Sequence, residues 1–169
     1  MTATKDQIED DQLWADDDGD NAQDNKYLLF NLAEEVYGIS IVHVINIIEL
    51  QKVTEVPDMP VYVKGVINLR GNVIPVMDLR VRFNIPPRVY DDRTCIIIVK
   101  IVQKSVGFIV DRVAEVHDIL PKDIEPPIHF KKADVQKRYI SGLGKVGEEV
   151  RILLDVETIL EDESLEKAI

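Results

Sequence analysis

A single cysteine, Cys95, is present among 169 residues, which excludes an intrachain disulfide. It lies in the run Cys95 to Val99, where a thiol packs as a small hydrophobe, and this sparing usage points to a reducing compartment such as the cytoplasm. That run is the longest apolar stretch in the chain. It has the length of a strand, far below the roughly 18 apolar residues of a membrane-spanning helix. The N-terminus carries Asp6, Glu9, Asp10 and Asp11 where a signal peptide would carry a basic and then an apolar region, so export is not expected. Histidine is equally scarce. His43, His117 and His129 stand alone, with no histidine or cysteine at metal-ligand spacing, so no metal site is expected, and His43 reads as a packing residue in an apolar segment. None of Ser40, Ser105, Ser141 and Ser164 occupies a nucleophile elbow, and there is no Walker lysine motif. These gaps argue against catalysis and against a bound cofactor.

Clustered positive charge is missing as well. The net charge is −11, and nine carboxylates against Lys5 alone put −8 of it in residues 1 to 25. The remainder is nearly balanced and shows no run of Lys and Arg that could face phosphates, so nucleic acid is not an expected partner. With only Ile8, Leu13 and Trp14 as large hydrophobes, residues 1 to 25 offer too little burial to offset the entropy of ordering, and a disordered acidic tail is expected there.

From Tyr27 onward the chain turns to short β-branched segments separated by Gly, Pro and Asn, the pattern of small antiparallel barrels, and helix is scarce. Val73, Pro75, Met77, Leu79 and Val81 alternate with residues that include Asp78, Arg80 and Arg82, which predicts a strand with one buried and one wetter face. Gly71-Asn72 before it suits a hairpin turn. Val106, Phe108 and Val110 alternate likewise, as do Val150, Ile152, Leu154 and Val156, while Thr94 to Val102 is apolar enough to be covered on both faces. Asp155 can cap a terminal helix over 156–169, because Val156, Ile159 and Leu160 share a helical face.

An internal repeat organises these segments. Val36-Tyr37-Gly38-Ile39, followed by Val44 and Ile47, reappears as Val106-Gly107-Phe108 followed by Val113 and Val116, at an offset of 69. Gly65-Val66, then Val73, Met77, Asp78 and Leu79, reappear as Gly142-Leu143, then Val150, Leu154, Asp155 and Val156, mostly at an offset of 77. Two similar small barrels in tandem would produce this, with the stretch from Asn84 to Arg93 as the connection and a groove between them. The matching places of Asp78 and Asp155 argue for a structural role rather than an acid–base pair. Gly142-Leu143-Gly144-Lys145-Val146-Gly147 has the letters of a dinucleotide fingerprint, but Glu148-Glu149 and an alternating strand follow where a helix N-terminus would be needed, so a β-hairpin is expected.

The segment from Gly65 to Arg80, Gly-Val-Ile-Asn-Leu-Arg-Gly-Asn-Val-Ile-Pro-Val-Met-Asp-Leu-Arg, resembles the signature of the CheW-type chemotaxis coupling proteins. The resemblance continues through Glu35 to Ile39, Val106 to Asp111, Tyr139 to Gly144 and Ile152 to Val156, and covers about Tyr27 to Leu160. It implies a mostly β fold of two small SH3-like five-stranded barrels sharing a hydrophobic core, here as a domain over 26–160 with a C-terminal helix and an acidic N-terminal tail. It implies a non-enzymatic adaptor, without cofactor or metal, that couples chemoreceptors (methyl-accepting chemotaxis proteins) to the histidine kinase CheA in the cytoplasm, recruited to membrane-associated receptor arrays. The alternative is a scaffold of the same fold in a different receptor–kinase pathway, since fold does not fix partner.

The expected partners are the chemoreceptor cytoplasmic hairpin tip and the CheA regulatory domain, the latter facing apolar residues of the second barrel. The positions that match the family's receptor contacts are Val44, Gly65 and Arg70. Val44 would offer apolar surface, Gly65 would permit close backbone approach, and Arg70 would donate a fork of hydrogen bonds or brace the barrel by a salt bridge. The family often pairs this arginine with a glutamate at the position that here reads Asn46. Glu49 falls at odd spacing from it, on the opposite face of an extended segment, which leaves Arg70 freer for binding.

Overall fold

A computed structural model describes residues 23–127 and 138–161. The acidic tail up to residue 22, His129 and the expected helix beyond Glu161 lie outside the described residues. The strands are β1 (Lys26–Leu32), β2 (Glu35–Ser40), β3 (Val44–Glu49), β4 (Val63–Leu69), β5 (Asn72–Asp78), β6 (Cys95–Ile101), β7 (Lys104–Val110), β8 (Arg112–Asp118), β9 (Ile124–Glu125), β10 (Ile140–Val146) and β11 (Glu149–Leu154). Two short helices follow equivalent strands, α1 (Leu79–Arg82) after β5 and α2 (Val156–Leu160) after β11. Each is started by an aspartate, Asp78 accepting from the Arg80 amide and Asp155 from the Glu157 and Thr158 amides, the structural role their repetition implied.

The chain is mostly β, in two sheets. One has the order β3-β6-β7-β5-β4 and the other β8-β1-β2-β11-β10-β9. The repeat is real, but the barrels are not its tandem halves. The β1–β2 hairpin of the first repeat lies among β8 to β11 of the second, and the β6–β7 hairpin of the second lies between β3 and β5 of the first. Parallel pairings lock both exchanges, β2 on β11 and β7 on β5. The segment from Asn84 to Arg93 therefore joins two parts of one sheet rather than one barrel to another. Hairpin signals are local and foretell a pair of neighbouring strands. They do not say which other strands the finished hairpin will join.

Alternation sorts β6 into two cores. Ile96 and Ile98 enter the interior of their own barrel with Ile67, Ile74, Val76 and Ile109. Ile97 and Val99 point into the core shared by the two sheets, with Phe30, Ile39, Met77, Phe108, Tyr139 and Ile159 among its members. β5 is divided in the same way. From Ile74 to Asp78 it is buried throughout, so the wetter face predicted for it is absent. It is an interior strand of its sheet, with one face in the barrel and the other in the shared core. The fingerprint-like glycines lie on β10, and the hairpin expected there is present, with Gly147 at φ 63 in its turn.

At the centre of the shared core, Tyr62 and Tyr139 stand at the repeat spacing, and the carbonyl of each accepts the amide of a helix-capping aspartate, Asp78 or Asp155, at 2.8 Å. Between the rings lies Arg82, its guanidinium carbon 4.4 Å from one centroid and 4.8 Å from the other. Arg82 is 77 residues from Ile159, and its Nη2 donates to that carbonyl at 3.0 Å, so an arginine of α1 holds the last turn of α2. A side chain placed between the repeat-mate tyrosines acts on both repeats at once.

A second polar cluster fastens the connection after α1. Arg80 donates to Asp111 at 2.7 and 2.5 Å and to the Pro86 carbonyl at 2.7 Å, and Asp111 also accepts the Ala33 amide at 2.8 Å. Burial acts to raise the Asp111 carboxyl, yet the hydrogen bonds from Arg80 and Ala33 and the charges of Arg80 and Arg88 hold it below the ordinary carboxylate value. A carboxyl more acidic in the folded than in the unfolded state contributes stability above its ordinary pKa. That contribution disappears as pH falls through the lower, folded value. Acid titration of the melting temperature should show Asp111→Asn with a shallower decline than the parent below about pH 4. Superimposable slopes would contradict the assignment.

Candidate partner-binding surface

Arg70 projects from the tip of the β4–β5 hairpin. Leu69 pairs with Asn72, leaving Arg70 and Gly71 as a two-residue turn with φ 53 and 86. Positive φ at both positions defines a type I′ turn, whose twist suits a hairpin. The Asn68 side chain accepts the Gly71 amide at 3.0 Å and tightens it. The turn is thus one residue earlier than Gly71-Asn72. Its signal in the sequence is glycine at the second turn position, where left-handed backbone is needed.

The arginine borders an open depression of about 510 Å³, whose walls include Ile45, Asn46, Val73, Pro75 and Lys104. Ile45 and Val73 are exposed apolar residues, at 54% and 71%. Asn46 occupies the wall but uses its side-chain oxygen locally, accepting the Ile47 amide at 2.9 Å. Among the described residues Arg70 forms no ion pair, and it is exposed. A guanidinium beside apolar surface can fix a carboxylate or a helix-end carbonyl while its neighbours bury aliphatic side chains.

Val44 and Gly65 have different settings, and neither lines the depression. Val44 opens β3 immediately before Ile45 and is partly buried against the shared core. Gly65 is buried in β4, beside a bulge that leaves Lys64 unpaired. The close approach it permits is internal: a Cβ there would lie 2.1 Å from the Thr54 carbonyl oxygen, at a φ of 147. Thr54 crosses β4 at that point and exchanges two 2.8 Å hydrogen bonds with Val66. Gly142, its repeat mate, stands in the same way against Ile124 and Glu125. Sequence reasoning passed over Ile45 and Val73, though the outward phase of β3 and the position of Val73 beside the turn were available as signals.

Among the described residues no group of three or more His, Cys, Asp or Glu could hold a metal ion. No described helix is long and apolar enough to cross a membrane. What the surface offers is a guanidinium and apolar side chains around a depression, the means of holding another protein.

The model of the CheW-like domain family matches residues 26–164. The chain is 37% identical over 140 residues to a chemotaxis protein CheW of Klebsiella aerogenes, covering 83% of this chain and 84% of that one. It is 38% identical over 148 residues to a chemotaxis protein CheW of Bacillus subtilis, covering 85% and 92%. Its fold is similar to the crystal structure of the scaffolding protein TtCheW from Thermoanaerobacter tengcongensis, with a TM-score of 0.76, 36% identity and coverage of 83% and 94%.

Proposed function

The chain belongs to the CheW-like domain family, and from that premise we propose that it is a non-enzymatic adaptor coupling chemoreceptors to the histidine kinase CheA. Its site of action on this reading is the cytoplasm, where it joins membrane-associated receptor arrays. The receptor partner is the cytoplasmic hairpin tip, and the surface that takes it centres on Arg70. The observation that carries this reading is the guanidinium of Arg70, without an ion pair among the described residues and exposed beside Ile45 and Val73. An arginine serving only to brace the barrel would be spent on an internal carboxylate. With Asn46 across the depression it has none among the described residues, which favours an external one.

Val44 and Gly65 support the same surface from within. Val44 anchors the start of β3, so that Ile45 faces outward, and Gly65 lets the Thr54 crossing close on β4, the strand that carries the arginine to its tip. The kinase partner is the CheA regulatory domain, held elsewhere on the barrels.

A pull-down with a receptor cytoplasmic hairpin and a CheA regulatory domain, separately and together, tests the reading directly. Arg70→Glu should weaken receptor binding by at least about 1.4 kcal/mol, a factor of ten, and leave the far-UV spectrum β-like. Because the Arg70 side chain makes no ion pair among the described residues, a loss of affinity would not be a loss of fold. Receptor affinity equal to that of the parent would refute the assignment.

A further inference from the structure

The two exchanged hairpins are repeat mates, yet their turns are built differently. In the β1–β2 turn Ala33 stands at φ 55, and its amide is held by Asp111 at 2.8 Å. At the corresponding place in the β6–β7 turn stands Val102, at φ 57 and 89% exposed. A β-branched residue in left-handed backbone is strained, and among the described residues no side chain accepts a hydrogen bond from its amide. The fold does not require valine here, since the mate position is served by alanine. Among the described residues nothing covers the exposed isopropyl group at this strained hairpin tip.

Two clefts flank this tip. On one side is the Arg70 depression, whose wall includes Gln103 and Lys104. On the other is a cleft of about 560 Å³ between the tip and α2, with Ile101 and Leu160 as apolar lining and Glu157 and Glu161 as acidic lining. Gln103 and Lys104 belong to both, so the surface is continuous across the tip. Its charge changes sign along the way, from Arg70 and Lys104 to Glu157 and Glu161, neither of which is ion-paired among the described residues.

We infer that the β6–β7 tip is a second half of the receptor site, straddled by the two helices of the receptor hairpin. One helix offers carboxylates to Arg70 and Lys104. The other offers lysine or arginine to Glu157 and Glu161, and apolar side chains between them pack on Val102 and Leu160. Electrostatic complementarity of opposite sign on the two flanks sets which helix takes which cleft. This inference rests on the adaptor reading and extends it with partner-binding residues beyond the Arg70 depression.

The test titrates a receptor cytoplasmic hairpin fragment and a CheA regulatory domain, each separately, against the full chain and its variants. Val102→Asp and Glu161→Lys should each weaken receptor binding at least about tenfold and leave kinase-domain binding within about twofold. Val102→Gly removes the strain, so it should keep or raise the melting temperature while still weakening receptor binding, which separates a lost contact from a lost fold. Receptor binding unchanged in Val102→Asp and Val102→Gly but lost in Arg70→Glu would overturn this inference alone. Binding unchanged in all of these variants would remove the Arg70 site with it. Loss of kinase-domain binding instead of receptor binding would give the tip to the other partner and overturn the inference as well.

Discussion

Replacing Arg82 with alanine is expected to destabilise the fold by about 3–4 kcal/mol, through the loss of a charged hydrogen bond, two cation–π contacts and buried side-chain volume. In a domain of this size that lowers the melting temperature by roughly 6–15 °C. The Ile159 carbonyl would lose its donor and the Tyr62 and Tyr139 rings would face an empty slot. Arg82→Lys is the informative companion. It keeps the charge but not the planar fork, and should recover only part of the loss. Thermal melts of the three proteins decide the matter. An alanine variant within about 1 kcal/mol of the parent, the range of an ordinary surface substitution, would show that the slot closes by repacking and that the arginine is not its keystone.

Gly65→Ala should be comparably severe, at about 3 kcal/mol or more, because strained backbone and steric overlap act together. The added Cβ would meet backbone, the Thr54 carbonyl at 2.1 Å, which cannot swing aside as a flexible side chain can. Gly71→Ala provides the calibration. Gly71 also has positive φ, at 86, but nothing lies within 4 Å of where its Cβ would be, so it should cost only the conformational part, about 1 kcal/mol. Equal melting temperatures for the two variants would mean that the Thr54 crossing is loosely held. If Gly65→Ala also weakens receptor binding, that loss should be reproduced by displacing the Thr54 crossing, because the glycine itself is buried.

Much of this was legible in the residues. The aspartate caps, the hairpin over Gly147, the both-sided burial of Ile96 to Val99 and the repeat depend on local chemistry, and local chemistry is written in order along the chain. β5 was misjudged because alternation reports that two faces differ, not that one of them is wet. There the faces enter two separate cores. The hairpin exchange escaped because a strand's distant neighbours are chosen by the shared core, which no window of residues contains. Arg70 was singled out by motif likeness, and it stands exposed at the tip of the β4–β5 hairpin. By contrast, Gly65 was assigned a close approach that the structure places inside the chain, against Thr54.

The exchange of hairpins has a mechanical consequence. Each barrel wall is completed by strands spun from the opposite repeat, so pulling on one barrel loads the chain of the other, much as interlaced fingers transmit a tug between two hands. Neither barrel can come away from the other without breaking strand pairs that join the two repeats.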